Sequence, residues 1–569
     1  VAVHGIDLGT TNSAIARTGS DGRPQVLAGM SGEPMTPSVV LFASPGEHVV
    51  GEGARREARL DPEHVCALVK RRMGDTEWRF VAHGKGWSAP AVSALILRSL
   101  VADAGFATGD EPRGVVITVP AYFGDEERRA TVLAGTYAGL DVVDVLSEPI
   151  AAALAYGFGR LDGTPELRKS GPIGARPADA APVETVLVYD LGGGTFDVTV
   201  IELADRRISV LAVEGDHQLG GADWDERIAV ALARRFCAEN PGAEDPLDDS
   251  AGAQALLLAA ERAKHQLSDA ERTDVVVAHD GARSTVPLTR VELDEMTAPL
   301  LRRTIDLTRA CLAEAARRGV ARVDRVLLVG GSARMPAVAD ALVADLDLDP
   351  RLHDPDLAVA RGAAIYGEKK ELERMVAADL RTRGRLRDGA SLEDAASADL
   401  DDACRRVADA YGVALAQVRR AAEIKVDTVV SRGFGVLAVA QAGRLEPSWL
   451  VHRNDRLPIR TTRSYGTVRT DQSEIQLTVV EQQGQVESPR PEDAKVLIVG
   501  EISGIPPGYE EGSEVRVTFE MGFDGVLHVT AFHVDAGIPL TLTATTGATL
   551  SQAEVARERD QLGRTRRRE

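Results

Sequence analysis

The sequence predicts a multi-domain protein: an α/β part first, then a helical stretch, then an all-β part. Three observations predict it. Short β-branched runs alternate with helical periodicities through the first part; residues 368–425 are rich in Ala and charge and carry no strand pattern; from Val426 onward apolar residues recur with period two. At 569 residues the chain is also too long for one hydrophobic core. The expected divisions are 1–367, 368–425, 426–549 and a charged tail, 550–569.

In the first part, residues 115–119, 185–190, 198–201 and 326–329 read as buried strands, and 91–104 and 296–318 as amphipathic helices. A Gly-, Pro- and Ala-rich stretch, 159–183, interrupts the alternation, and Pro172, Pro177 and Pro182 mark it as a surface insertion. In the helical stretch Leu400, Cys404, Val407, Tyr411, Leu415, Val418 and Ala422 form one apolar stripe along a helix. Packing on a neighbouring domain is the expected use of that stripe, because Gly412 weakens a long coiled coil. In the last part Val515, Val517, Phe519 and Met521 alternate with polar residues. Phe523-Asp524-Gly525 makes a turn, Leu527, Val529 and Ala531 resume the alternation, and Leu540, Leu542 and Ala544 continue the meander.

The composition is that of a soluble globular chain, 44% hydrophobic and 27% charged, with aliphatic cores because aromatic residues make up only 4%. A net charge of -20 argues against a nucleic-acid-binding surface. The Arg-rich end, 564–568, reads as a solvated disordered terminus. Cys66, Cys237, Cys311 and Cys404 are far apart and suggest neither a zinc site nor a disulfide framework. No signal-like start and no uninterrupted apolar stretch long enough to span a bilayer are read in the sequence, so no membrane association and a cytoplasmic location are the expectations.

The most informative feature is a repeat. Asp7-Leu8-Gly9-Thr10-Thr11-Asn12 is echoed by Asp190-Leu191-Gly192-Gly193-Gly194-Thr195, each after an apolar strand and before a β-branched segment. Glycines let a turn approach phosphate oxygens and aim successive N–H groups at them. The hydroxyls of Thr10, Thr11 and Thr195 add donors, and Asp7 and Asp190 stand where Mg²⁺ and its retained waters could be held. One copy alone is a tight hairpin; two can clamp a triphosphate from both sides. Gly220-Gly221 and Gly330-Gly331-Ser332 also stand at apparent strand ends. Neither GxxxxGK[ST] nor a well-placed GxGxxG occurs, which removes the two commonest nucleotide folds.

With these residues in view, the sequence resembles the seventy-kilodalton heat-shock chaperones (DnaK type). The matching segments are GIDLGTTNSAIA from Gly5, VITVPAYFGDEERRAT from Val116, SEPIAAALAYG from Ser147 and VYDLGGGTFDVTV from Val188. LGGADWD from Leu219, ERAKHQLS from Glu261, VLLVGGSARMP from Val326 and DPDLAVARGAA from Asp354 complete the set. The resemblance implies an actin-like ATPase domain, duplicated and ribonuclease H-like, that uses ATP/ADP with Mg²⁺. It implies that Asp7 and Asp190 hold the Mg²⁺ waters, and that Gly9, Thr10, Thr11, Asn12 and Gly192, Gly193, Gly194 and Thr195 line the phosphates. Lys70 would reach the γ-phosphate and the attacking water, with Glu148 and Asp197 orienting or deprotonating that water. Taken alone, Lys70 reads as a surface lysine and Glu148 as a helix N-terminal charge.

The same resemblance makes Glu261, Lys264 and Ser268, on one helix face, one wall of the adenosine pocket, and Gly331, Ser332, Arg334 and Asp356 the other. His265 stands where many relatives carry an arginine that stacks on adenine. Pro120 and Arg128 match a pair that relays the nucleotide state between domains, although a simple strand terminator also explains Pro120.

The β part is similar to the family's peptide-binding sandwich. Val468 and Ile475 would line the pocket for an extended apolar peptide, or would simply fill the core. Two departures are evident: no helical lid follows the sandwich, and the family's short apolar, Asp-bearing linker is not recognisable before Val426, where residues 368–424 stand instead. The resemblance therefore implies an ATP-hydrolysing chaperone-like protein that binds extended apolar segments of unfolded clients and works with a J-domain co-chaperone and a nucleotide exchange factor. The alternative is an ATP-driven switch binding one dedicated partner through its β domain. A sugar- or acetate-type kinase is disfavoured by VPAYF, GGGTFD and the β domain, and filament formation has no positive support.

Overall fold

Each of the two repeats turns a pair of antiparallel strands, and each pair centres its own sheet. The computed structural model describes residues 3–30, 32–161, 183–204, 207–440, 443–484, 486–522, 525, 527–542 and 552–568, so the expected insertion at 159–183 lies almost wholly outside the described residues. His4–Asp7 pairs with Asn12–Thr18, and Glu184–Leu191 with Phe196–Ala204. A later strand joins each pair in parallel, Gly114–Val119 in lobe I and Arg325–Val329 in lobe II. Lobe I runs Asp141–Ser147, Gly114–Val119, His4–Asp7, Asn12–Thr18, Pro24–Leu27. Lobe II runs Pro350–Leu352, Arg325–Val329, Glu184–Leu191, Phe196–Ala204, Arg207–Asp216, Lys425–Asp427. Helices cover these sheets, which is why their central strands are nearly continuous apolar runs.

Two helices, Glu148–Leu161 and Ala358–Thr382, pack against each other between the lobes. Small residues let them approach: a Cβ on Gly362 would run into the Ala151 backbone, and Ala151, Ala152, Ala360 and Ala363 are fully buried. Among the described residues Ala89–Thr108 is, by length and composition, long and apolar enough to cross a membrane, with a mean hydropathy of 1.4, although Arg98 and Asp103 interrupt it. Its composition serves burial instead, since 67% of that window lies inside lobe I and Ser88 caps it by accepting the Ala91 N–H at 3.3 Å.

Helix Ala358–Thr382 runs unbroken through the boundary expected between 367 and 368. The apolar stripe beyond it splits into Ser397–Tyr411 and Leu415–Glu423, because Gly412 takes φ 66° and ends the first helix. Tyr411 is consequently exposed, while Cys404, Val407 and Val418 pack on Leu372, Val376 and Leu380 of the long helix.

Lys425–Asp427 corrects two expectations. It is not the start of the sandwich but a sixth strand of the lobe II sheet, parallel to Arg207–Ser209. An apolar, Asp-bearing connector thus exists, Val426-Asp427-Thr428-Val429-Val430, with Val426 and Val429 packed on the lobe II core. Only the edge of a distant strand makes it a strand, so local pattern could not reveal it. The sandwich proper pairs two four-stranded sheets. One is Leu445–Val451, Phe434–Val439, Ile475–Gln482 and Ala494–Ile502; the other is Ile459–Gly466, Glu514–Met521, Leu527–His533 and Ile538–Leu542. The period-two residues face inward as expected: Val515, Val517, Phe519, Met521, Leu527, Val529 and Ala531 share one core.

The tail is also corrected. Helix Gln552–Gly563 lies on lobe I with Leu562 fully buried, and Arg566–Arg567 adds in parallel to the edge of Glu47–Val50. Arg567 pairs with Asp103 at 2.7 Å, so this arginine-rich end finds a specific acidic partner rather than only solvent.

Candidate active site

The two glycine hairpins meet tip to tip across the lobes. A Cβ on Gly193 would collide with the Thr11 side chain, and one on Gly194 with Thr10, so only glycine permits this approach. Within the second hairpin Gly192 N–H donates to Thr195 O at 3.0 Å, and the Gly220-Gly221 turn closes beneath it through Gly221 N–H to Gly192 O at 2.9 Å. In the first hairpin Ser38 Oγ donates to Gly9 O at 2.8 Å, and a Cβ on Gly9 would strike the Asn12 carbonyl. Gly330, at φ 82°, packs its backbone against Leu191 and Asp190.

Around this junction the strand ends deliver carboxylates. Asp190 and Asp197 face each other across the second hairpin, Asp7 accepts the Thr118 hydroxyl at 3.2 Å, and Asp197 accepts the Tyr122 N–H at 3.0 Å. Lys70, on the short helix Val69–Arg72, places Nζ 2.5 Å from Oε1 of Glu148, the first residue of its helix; both are buried. Burial opposes the Lys70 charge, but Glu148, Asp7 and Asp190 outweigh it and hold its pKa above the ordinary value. Burial, then Glu148, pushes Asp7 up to about 7 and Asp197 up to about 8; burial, then Glu148, Asp197 and Asp7, raises Asp190 well above its ordinary value.

Four carboxylates thus share one ammonium. Such crowding of carboxylate oxygens beside a glycine-lined cradle is chemistry compatible with a hard divalent cation carrying phosphate, and Asp7 and Asp190, at the strand ends, are residues that could hold it.

The residues expected to wall an adenosine pocket are placed as follows. Lys264 Nζ donates to Gly221 O and Asp225 at 2.9 Å, Ser268 Oγ turns back to Lys264 O at 3.1 Å, Ser332 packs on Gly221, and Arg334 pairs with Asp356. His265 stands beside Lys264 on the same helix, and burial, then Lys264, lowers its pKa. Glu261 pairs with Arg55 of lobe I, a bridge across the cleft that sequence reading missed. Arg71 was missed as well: it donates to Gly194 O at 2.8 Å and pairs with Asp223 at 2.5 Å, and its only signal was its place next to Lys70. Pro120 ends strand Gly114–Val119, and Arg128 donates to Phe123 O at 3.2 Å, so both sit on the segment that carries Tyr122. Val468 and Ile475 lie elsewhere: Val468 is 54% exposed beyond strand Ile459–Gly466, and Ile475 packs half-buried on the sandwich core.

The sandwich rests on both lobes near this segment. Asn454 Oδ1 accepts the Val213 N–H at 2.9 Å, Arg453 pairs with Glu214 at 2.6 Å, and Ser431 Oγ donates to Phe123 O at 3.1 Å.

Duplicated sheets, facing glycine hairpins and an acidic cleft between them define a two-lobed α/β protein. A family model described as Hsp70 protein matches residues 3–82, 75–377 and 410–568. The chain belongs to the Hsp70 family, whose members are chaperone-type ATPases that use ATP/ADP with Mg²⁺ and bind unfolded polypeptides.

Proposed function

We propose that this chain hydrolyses Mg·ATP in the cleft between its lobes and uses the cycle to control an extended apolar polypeptide held by its β-sandwich. The observation that carries the reading is the buried set Asp7, Glu148, Asp190 and Asp197 around Lys70, at the tips of two glycine hairpins. Mg²⁺, when bound, neutralises phosphate charge. Backbone N–H groups of Gly193, Gly194 and Thr195 and the hydroxyls of Thr10, Thr11 and Thr195 bind the phosphates, while the Gly192 N–H closes the hairpin on Thr195 O. Lys70, kept charged by its neighbours, stabilises the charge that builds on the transferred group. Asp197, with a pKa of about 8, can exchange a proton near neutral pH and, with Glu148, orients the attacking water. The Arg55–Glu261 and Arg71–Asp223 pairs hold the lobes together over the nucleotide.

The client reading rests on the sandwich, where Val468 is available to an apolar segment and Ile475 stands beside the core. Coupling would run through the connector strand on the lobe II sheet and through Tyr122, with a J-domain co-chaperone and an exchange factor as partners. Steady-state ATP turnover of the wild type, Lys70→Ala and Asp190→Ala tests the site; unchanged turnover in both variants would sink it. An unfolded apolar peptide should bind more tightly with ADP than with ATP. Equal affinity in both states favours instead a switch with one dedicated partner.

A further inference from the structure

Seven charged groups meet where helix Asp125–Ala138 of lobe I faces the sandwich. Arg432 lies 3.0 Å from Glu127 and 3.5 Å from Glu481, Lys495 pairs with Glu126, and Arg129 pairs with Asp125 at 2.5 Å. The ion-paired groups are four carboxylates against three cations; Arg128 of the same helix also faces Glu127 and Asp125, but its charge is shared with Asp144 and Asp197. The surplus negative charge has one evident place to go. Glu481 is fully buried; its Oε1 accepts the Asp125 N–H at 3.4 Å, and its Oε2 faces Arg432 Nη1 at 3.5 Å without a hydrogen bond, so that among the described residues neither it nor Oε2 of Glu127 has a hydrogen-bond partner. A buried carboxylate oxygen without a donor is costly, whereas the protonated carboxyl balances the cluster and gains a donor of its own.

We propose that docking of the sandwich on lobe I takes up one proton, carried by this carboxyl cluster at Glu481, so that the docked arrangement is favoured as pH falls. In the docked form burial, opposed by Arg432, pushes Glu481 up to about 7. Undocked and in water, a glutamate has a pKa of about 4.3. The raised value belongs to the docked form, so the stabilisation is full below the undocked pKa and is lost as pH rises through about 7. The other titratable neighbours are Glu126, raised by burial and so of the same sign, and Tyr122, which titrates far above this range. His217 is lowered by burial and then Arg432, and so acts in the opposite sense. Substitution at Glu481 separates its share from theirs.

Hydrogen exchange at the Val213 amide, which donates across the interface to Asn454, reads the opening equilibrium in the full chain once intrinsic rates are corrected for pH. In the wild type the opening constant should rise by about tenfold per pH unit between about pH 5.5 and 6.5. Glu481→Gln should lower that slope by close to one proton. Glu127→Gln, which removes the same surplus charge, should do likewise and serves if the first variant folds poorly. A wild-type opening constant that does not change with pH, or a variant that keeps the wild-type slope, overturns the proposal.

Discussion

Tyr122 touches Asp197 with its main chain and the sandwich with its side chain. Its N–H donates to Asp197 Oδ1 at 3.0 Å, its hydroxyl donates to Gly484 O at 3.3 Å, and its ring centroid lies 5.2 Å from the guanidinium group of Arg432 and 4.9 Å from that of Arg453. A carboxylate of the cleft and the docking face of another domain are therefore one residue apart. Packed contacts of this kind transmit a change only if both ends bias the same two arrangements, which makes Tyr122 a place to measure coupling.

Tyr122→Ala keeps the N–H that serves Asp197 and removes the ring. Basal ATP turnover should stay within about twofold, while loss of two cation–π contacts weakens docking by about 1–3 kcal/mol. Stimulation of turnover by an apolar peptide should then vanish. A variant that is stimulated like the wild type would show that coupling bypasses this residue.

The cleft carboxylates make ligand-free stability depend on pH. Asp7 and Asp197 have folded pKa values of about 7 and 8, above their unfolded values, so the folded form holds more protons. That contribution is complete below about pH 4 and is lost as pH rises through 7 to 8. The ligand-free Tm should therefore fall between pH 6 and 8.5, and Mg²⁺ with nucleotide should raise Tm more at pH 8.5 than at pH 6. Thermal scans across this range check both statements; an equal ligand shift at the two pH values would contradict the charge argument.

Arg55 and Glu261 bridge the lobes at a partly exposed position. Such a pair contributes only about 0.5–1 kcal/mol, so Arg55→Ala should speed nucleotide release by about two- to fivefold and leave single-turnover hydrolysis unchanged. Stopped-flow release of a fluorescent nucleotide measures the first, and quench-flow the second.

Leu562 anchors the tail on lobe I. Burying a leucine contributes about 1.5–3 kcal/mol, more than a short terminal strand can spare, so Leu562→Asp should detach residues 552–568 without unfolding the lobes. The Arg566 and Arg568 amides, which donate to Gly46 O and His48 O, should lose exchange protection while the lobe I sheet keeps it. Retained protection of those two amides would show that the polar contacts of the tail, among them Arg567 with Asp103, Ser88 with Glu558 and Arg98 with the Leu562 carbonyl, hold it without the buried leucine.

Much of the site was legible because it is local. Two DLG turns, a glycine pair before a helix and ERAKHQLS each place their own donors and carboxylates within a few residues, and the period of two in 515–531 marks an inward face wherever that strand goes. The breaks were harder: Gly412 signalled trouble for one long helix, but only its left-handed conformation showed where the stripe divides.

The sequence by itself determined the order of the parts, the paired hairpins and the residues that crowd the cleft, since glycine turns, caps and alternation act over distances of a few residues. Tertiary structure alone decided the rest. Lys425–Asp427 is a strand because Arg207–Ser209 offers an unpaired edge, Arg566–Arg567 is ordered because Glu47–Val50 offers another, and Glu481 lies buried among charges because two domains close over it. A backbone edge, or a charge removed from water, is defined by what packs against it, and the residues that do so lie hundreds of positions away.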